Sequence, residues 1–156
     1  MAKGNIAAAG PAERLVVLER IFDAPCELVF KAWTEPQHLV RWYGPRGFTL
    51  PSCKLDLRLG GAWRYCMLSP EGREHWVQGT FREIVEPERL AFTWAHENPD
   101  GTLGHETLVT VTFVDLAGKT KLTLRHAIFE SLSARDEHQN GWTSSLECLA
   151  EYLATV

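Results

Sequence analysis

The sequence has little of what marks a membrane, secreted or metal-dependent protein. No run approaches the roughly 18 continuous apolar residues of a membrane helix, and the apolar stretch near the N-terminus is too short for a signal peptide. The four cysteines form no C-x-x-C pair, and the six histidines are widely separated, without H-E-x-x-H or similar spacing. We therefore expect a cytoplasmic protein with reduced thiols, no membrane span and no bound metal.

Cofactor and nucleic-acid signatures are missing as well. There is no G-x-G-x-x-G or phosphate-binding loop, and Gly60-Gly61 fits a bend between strands better. The net charge is −4 with both signs scattered, which disfavours nucleic acid as a partner. We expect no cofactor and no nucleic-acid binding. The oligomeric state stays open, with a homodimer among the alternatives.

What the 156 residues do contain is a large apolar and aromatic fraction. The chain is 45% hydrophobic and has six tryptophans and seven phenylalanines, enough for the core of about one domain. We expect a flexible N-terminal tail at residues 1–13 and a single domain at residues 14–156.

The middle of the chain alternates large aromatic residues with small or polar ones. Trp63, Tyr65 and Met67 follow this pattern in one segment, and Phe92 and Trp94 follow it in another. Because successive side chains of a strand point to opposite faces, each set lies on one face of a sheet. The short, turn-rich spacings between such segments predict hairpins and therefore an antiparallel sheet.

Helical signals flank the sheet region. Pro25, followed by Glu27, begins a short helix, and residues 34–37 begin a second one that ends at Gly44-Pro45. From Ser133 to about Ala154 the apolar residues fall on one helical stripe. The predicted order is one strand, two short helices, about six strands and a long helix whose stripe covers the aromatic face.

Six short strings across residues 14–154 carry a resemblance to a known family. They are FDAPCELVFKAWTEP at 22–36, RWYGP at 41–45, LGGAWRY at 59–65, GTFREIVEPERL at 79–90, TKLTLRH at 120–126 and NGW at 140–142. With this order of elements, the chain resembles the SRPBCC (START-like) superfamily, and within it the AHSA1-like group, named after the C-terminal domain of the activator of Hsp90 ATPase.

The resemblance implies an α+β helix-grip fold of the START/Bet v 1-like kind. In that fold a curved antiparallel sheet wraps around a long C-terminal helix, and two short helices follow the first strand. Members of the superfamily bind lipids, hormones, polyketides or other apolar small molecules between sheet and helix, so the resemblance implies a hydrophobic cavity there. It brings no catalytic motif to this chain.

The face assignments select the candidate ligand-binding residues. They are the inward-facing residues of four strands and of the C-terminal helix: Trp63, Tyr65, Met67, Phe92, Trp94, Val111, Phe113, Leu124, His126, His138, Trp142 and Leu146. We expect them to bind an apolar or aromatic small molecule, because such pockets combine apolar walls with a few polar groups. The alternative is a filled core with no cavity large enough for a ligand.

An enzyme is the first alternative function, although we expect a binding protein. A cyclase- or hydrolase-like enzyme would use His126, His138 or Tyr65 as an acid or base in the same pocket. The competing interpretation of His126 is a core histidine bonded to a backbone carbonyl.

A protein-interaction or chaperone role is the second alternative. It predicts an exposed apolar patch, for which Trp42, Tyr43 and Trp76 are the candidates. The Hsp90 co-chaperone has an additional N-terminal domain that makes much of the contact, whereas about a dozen residues precede the first strand here. We therefore do not expect contact with Hsp90.

Overall fold

The structure is a computed structural model that describes residues 13–156 of the chain. Its elements in chain order are β1 (Val16–Phe22), α1 (Cys26–Thr34), α2 (Pro36–Trp42), β2 (Thr49–Leu55), β3 (Ala62–Leu68), β4 (Glu74–Val85), β5 (Arg89–His96), β6 (Thr107–Leu116), β7 (Lys119–Ala127) and α3 (Leu132–Leu153). The tail predicted at residues 1–13 lies outside the described residues, except for Glu13. Within residues 13–156 there is no helix of the length and apolarity needed to cross a membrane.

The seven strands form one antiparallel sheet in the order β1-β7-β6-β5-β4-β3-β2. Each strand from β2 to β6 pairs with its successor, and β7 then pairs with β1. The two short helices carry the chain from β1 at one edge to β2 at the other. The predicted α+β helix-grip fold is therefore confirmed, with a curved sheet, two short helices after the first strand and a long C-terminal helix.

The helices begin where their sequence signals lie. Pro25 is the N-cap of α1, with the carboxylate of Glu27 in the first turn, and Pro36 opens α2. Ser131 caps α3, because its side chain accepts a hydrogen bond from the backbone N–H of Ala134 at 3.0 Å. The buried residues of α3 form a stripe at helical spacing: Trp142, Ser145, Leu146, Leu149 and Leu153.

The first strand after the short helices begins earlier than its pattern indicates. The sequence suggests a strand at residues 53–59, whereas β2 spans Thr49–Leu55, and the N–H of Asp56 then bonds to the carbonyl of Ala62 at 3.0 Å in the turn towards β3. Pro51 is tolerated inside β2 because β2 is an edge strand, where a missing N–H can face away from the ladder.

The aromatic face of the sheet is covered by the short helices as well as by α3. The ring centre of Trp63 lies 4.7 Å from that of Tyr65 and 5.6 Å from that of Phe92. Trp33 of α1 stacks 5.7 Å from Trp142 of α3. The remaining void measures about 10 Å³, room for at most about one water molecule. We call its lining the deep core: Trp33, Leu39, Tyr43, Trp63, Tyr65, Phe81 and Phe92.

The residues named above as candidates for an exposed apolar patch do not form one. Trp42 and Tyr43 are only 3% and 5% exposed, so that expectation is wrong for them. Trp42 Nε1 donates to the carbonyl of Ala32 at 2.9 Å, which fixes it inside. Trp76 is half-buried, and the guanidinium of Arg64 lies over its ring at 4.0 Å from the centre.

Strands β4 and β5 make a close approach at Gly79. A Cβ at this position would overlap the carbonyl oxygen of Thr93. Trp63 Nε1 donates to that same carbonyl at 3.2 Å, and the N–H of Thr80 donates to Thr93 Oγ1 at 2.8 Å. Side-chain hydrogen bonds therefore join β3 and β4 to β5 beside the deep core, and the close approach requires a residue without a side chain at position 79.

Candidate functional site

An open pocket of about 350 Å³ lies beside the deep core, along the first half of α3. We call it the α3 pocket. Its walls come from the segment after α2, from strands β3, β4 and β5, and from α3: Tyr43, Gly44, Pro45, Phe48, Met67, His75, Trp94, His96, Glu137, His138, Gly141, Trp142 and Ser145. Segments that are remote in sequence therefore meet around one space.

The α3 pocket contains part of the predicted site. Four of the predicted ligand-binding residues line it: Met67, Trp94, His138 and Trp142. The other eight are buried away from it: Trp63, Tyr65, Phe92, Val111, Phe113, Leu124, His126 and Leu146. The open space thus lies to one side of the expected position, because Trp33 of α1 and Tyr43, which follows α2, fill the centre.

His126 is fully buried, and both of its ring nitrogens are bonded. Trp142 Nε1 donates to His126 Nδ1 at 2.9 Å. Since an indole N–H can only donate, the proton of the neutral ring sits on Nε2, which donates to Thr107 Oγ1 at 2.6 Å. Thr107 Oγ1 in turn donates to the carbonyl of Trp94 at 2.9 Å. His126 is thus tied to a backbone carbonyl through Thr107 and has no nitrogen left for a ligand.

Burial explains why this chain of hydrogen bonds contains a neutral imidazole. The low polarity around His126 lowers its pKa well below the ordinary value, and the nearby His138 and His96 lower it further. The network joins α3 to β6, β7 and β5 directly behind the α3 pocket. It therefore fixes the position of Trp142, which is part of the pocket wall.

His138 is the predicted acid–base candidate that lines the α3 pocket. Its Nδ1 donates to the carbonyl of Ala134 at 2.8 Å, so Nε2 of the neutral ring is an acceptor. The ring stacks on Phe129 at 4.7 Å and meets Trp94 edge-on at 4.9 Å. Burial lowers the pKa of His138, whereas burial raises the pKa of Tyr65 in the deep core well above its ordinary value.

His96 and His75 line the pocket but were absent from the predicted site. The ring of His96 lies 4.5 Å from Trp94 and 5.5 Å from His138, and burial of its inner side lowers its pKa. A sequence signal existed for both. His96 continues the alternation of Phe92 and Trp94 by one step, and His75 lies opposite the inward-facing Met67.

The four wall residues between α2 and β2 had no periodic signal in the sequence, unlike Glu137, Gly141 and Ser145 of α3. Tyr43, Gly44, Pro45 and Phe48 belong to the irregular segment between α2 and β2, where side-chain direction depends on the turn. Gly44 makes that turn with a φ of 110°, a conformation that favours glycine. Across residues 13–156, no group of three or more His, Cys, Asp or Glu side chains could hold a metal ion.

Known proteins share this fold. The family model of the activator of Hsp90 ATPase homolog 1-like proteins (AHSA1) matches residues 23–154. The chain belongs to the AHSA1-like family. Among solved structures, the AHSA1 protein of Silicibacter pomeroyi is 32% identical to it with a TM-score of 0.82, and the match covers 90% of this chain and 98% of that one.

Two further solved structures extend the comparison. A Chromobacterium violaceum protein is 28% identical with a TM-score of 0.78, covering 88% of this chain and 95% of its own. A Nitrosomonas europaea protein is 25% identical with a TM-score of 0.77, covering 92% and 96%. No curated protein matches the chain. The predicted SRPBCC/AHSA1-like resemblance is thereby confirmed, while the ligand has to be argued from the chemistry of the α3 pocket.

Proposed function

We propose that this AHSA1-like protein binds an apolar or aromatic small molecule in the α3 pocket. The observation that supports this proposal is an open space of about 350 Å³ beside a deep core in which the void measures about 10 Å³. Sites for small molecules occupy roughly 300–1,000 Å³. The α3 pocket is therefore large enough for a compact ligand, whereas the deep core is not.

The walls favour a flat, apolar ligand. Tyr43, Phe48, Trp94 and Trp142 contribute aromatic rings, and Met67 contributes a polarisable thioether. The N–H of Trp142 is already bonded to His126, so Trp142 has only its apolar ring to offer. Aromatic ligands gain both buried area and ring–ring contacts in such surroundings.

Gly141 provides a way to test this proposal, because it lines the α3 pocket from a helix. A Cβ at this position would meet Pro45 Cγ at 3.8 Å, an ordinary van der Waals contact, so a side chain is tolerated. In Gly141→Met the longer side chain enters the pocket. Native mass spectrometry and thermal-shift screening against lipids, flavonoids and polyketide-like compounds should find ligands of the unmodified protein, and Gly141→Met should bind them at least about tenfold more weakly.

Thr143→Met is the matched control, since it adds the same side chain to an exposed position of α3. It should bind as the unmodified protein does. If the screen finds no ligand, or if Gly141→Met binds the ligands as well as Thr143→Met does, the proposal is wrong.

Acid–base catalysis in the same pocket is a second candidate, and the geometry of His138 favours it. Its Nδ1 proton is held by the carbonyl of Ala134, so its unprotonated Nε2 is the nitrogen left for a substrate proton. Because burial lowers the pKa of His138, the ring is in its basic form at neutral pH. The test is exchange of solvent deuterium into the methyl group of methyl naphthyl ketone, followed by NMR. Acceleration by the unmodified protein and loss of it in His138→Gln would support catalysis, and equal rates would exclude it for this substrate class.

A further inference from the structure

Two tryptophans among residues 13–156 have a buried indole N–H without a hydrogen-bond partner, Trp33 and Trp94. The other four indoles donate to the carbonyls of Ala32 and Thr93, to Glu74 and to His126. Buried donors are almost always paired, so each exception requires an explanation. The two exceptions lie in different surroundings: Trp33 lines the void of about 10 Å³, and Trp94 lines the α3 pocket of about 350 Å³.

The hydroxyl of Tyr43 is the neighbour of the unpaired Trp94 N–H. Burial raises the pKa of Tyr43, and the adjacent indole N–H of Trp94 opposes that rise. The two groups nevertheless form no hydrogen bond of ordinary length and angle. Both residues line the α3 pocket, so one part of its wall contains the Tyr43 hydroxyl beside a buried indole N–H that has no ordinary hydrogen bond.

The charge of the wall limits which acceptor suits these donors. Among the described residues that line the pocket there is no lysine or arginine, and Glu137 is the one carboxylate. Burial lowers the pKa of His96 and of His138, so at neutral pH neither provides a cation. An anionic ligand would lose its hydration without gaining a counter-charge, whereas a neutral acceptor loses much less.

We propose that Tyr43 and Trp94 are the specificity-determining pair of the α3 pocket. They bind the carbonyl oxygen or ring nitrogen of an uncharged, planar ligand. This inference rests on the proposed binding function and adds the chemical class of the ligand. The hydroxyl proton of Tyr43 can rotate towards an acceptor without moving a heavy atom, and a small shift of the hydroxyl also opens the indole N–H to that acceptor.

Three naphthalene probes of similar size separate the possible outcomes. Methyl naphthyl ketone carries a neutral acceptor, isopropenylnaphthalene has the same shape without one, and naphthoate carries a charged one. One hydrogen bond to a matched acceptor corresponds to about a tenfold difference in affinity. We expect the ketone to bind about tenfold more tightly than the alkene at pH 7.5, and naphthoate to bind more weakly than the ketone.

Tyr43→Phe tests the pair directly, because it removes the hydroxyl and keeps the ring that packs 5.2 Å from Tyr65 and 6.0 Å from Trp142. In this variant the affinity for the ketone should fall severalfold towards that of the alkene, because only the indole N–H of Trp94 remains as a donor, while the alkene binds as before. Trp33→Phe is the control, since it removes the other unpaired indole N–H away from the pocket. It should keep the ratio of ketone to alkene affinity.

The indole N–H resonance of Trp94 provides a readout that needs no stable variant at position 43. In the unmodified protein it should shift downfield when the ketone is added and shift less with the alkene. Trp94→Phe assigns the resonance by its loss.

Each other result overturns a different statement. Equal binding of ketone and alkene, or an unchanged ratio in Tyr43→Phe, refutes the donor pair and leaves the binding function intact. Tighter binding of naphthoate than of the ketone refutes the preference for an uncharged ligand. If none of the three probes binds and the broader screen also finds no ligand, both the proposed function and this inference are refuted.

Discussion

Two aromatic regions lie side by side in this protein, and one is filled while the other is open. In the deep core, Trp63, Tyr65 and Phe92 pack ring against ring around a void of about 10 Å³. In the α3 pocket, Trp94 and Trp142 border about 350 Å³. Aromatic side chains line both regions. The difference therefore shows that aromatic content alone does not make a cavity.

The reach of the short helices decides which region is filled. Trp33 of α1 extends to the middle of α3, where it stacks on Trp142. Tyr43, just past the end of α2, is the boundary residue, with ring centres 5.2 Å from Tyr65 and 6.0 Å from Trp142. Beyond it the chain turns at Gly44 into the irregular segment that leads to β2, so neither short helix reaches over the α3 pocket.

The largest expected effect on stability comes from replacing one phenylalanine on each side of Tyr43 by alanine. Phe92→Ala should lower the free energy of unfolding by about 3–5 kcal/mol, because it leaves a cavity in close-packed surroundings. Phe48→Ala, in the half-buried pocket wall, should lower it by only about 1 kcal/mol. Urea denaturation measures both. Equal losses would mean that the two regions are packed alike.

The hydrogen-bond network of His126 behind the α3 pocket should give the next largest effect on stability. Thr107→Val keeps the shape of the side chain but removes the acceptor of His126 Nε2–H and the donor to the carbonyl of Trp94. Leaving a buried donor unpaired costs about 1–3 kcal/mol. Thr112→Val, on the same strand but only partly buried, is the control and should stay within about 0.5 kcal/mol. A loss no greater than that of the control would mean that the network does not stabilise the folded protein.

Acid should lower the stability that the network of His126 contributes. The folded pKa of His126 is depressed, so below about pH 6.5 the unfolded chain takes up a proton that the folded chain does not. Stability present above about pH 6.5 is therefore lost as the pH falls, by up to about 1.4 kcal/mol per pH unit for this one group. Unfolding measured between about pH 5 and 6.5 should show a smaller slope in His126→Gln. An identical slope would place the acid sensitivity elsewhere.

The smallest expected effect is an increase in the free energy of unfolding. Gly141→Ala should raise the free energy of unfolding by roughly 0.5–1 kcal/mol, because alanine favours the helix and its Cβ meets only Pro45 at 3.8 Å. The same exchange at Gly79, beside the deep core, should destabilise the fold strongly, since its Cβ would overlap the carbonyl of Thr93. Thermal denaturation of the two variants compares the open region with the filled one. Destabilisation by Gly141→Ala would mean that the α3 pocket has no space for a methyl group at this position.

Sequence alone was sufficient for most of the fold and for one wall of the pocket. Strand alternation placed Trp63, Tyr65, Phe92 and Trp94 on one face, because side chains two residues apart in a strand point to the same side of the sheet. The stripe of α3 placed Trp142 opposite that face. Of the two alternatives drawn from this pattern, the filled core describes the deep core, whereas the ligand cavity stays a prediction.

What the sequence could not supply is the packing between remote segments. The position of Tyr43 depends on where α2 ends and on how Gly44 turns the chain. Neither feature produces a periodic pattern in the sequence. His96 was missed for a smaller reason, because β5 runs one residue further than its pattern indicated. His138 could be placed on the correct face of α3, but only the structure distinguishes it from His126, whose two nitrogens are both occupied.

The close approach at Gly79 has a consequence for how this sequence can diverge. The space that a side chain would need there is taken by the Thr93 carbonyl, and that carbonyl is held in place by the indole of Trp63. Replacing Trp63 by a smaller residue would deprive the carbonyl of its donor, and replacing Gly79 would expel the carbonyl. Positions 63 and 79 are therefore expected to covary in an alignment of AHSA1-like sequences, with tryptophan and glycine kept together or lost together.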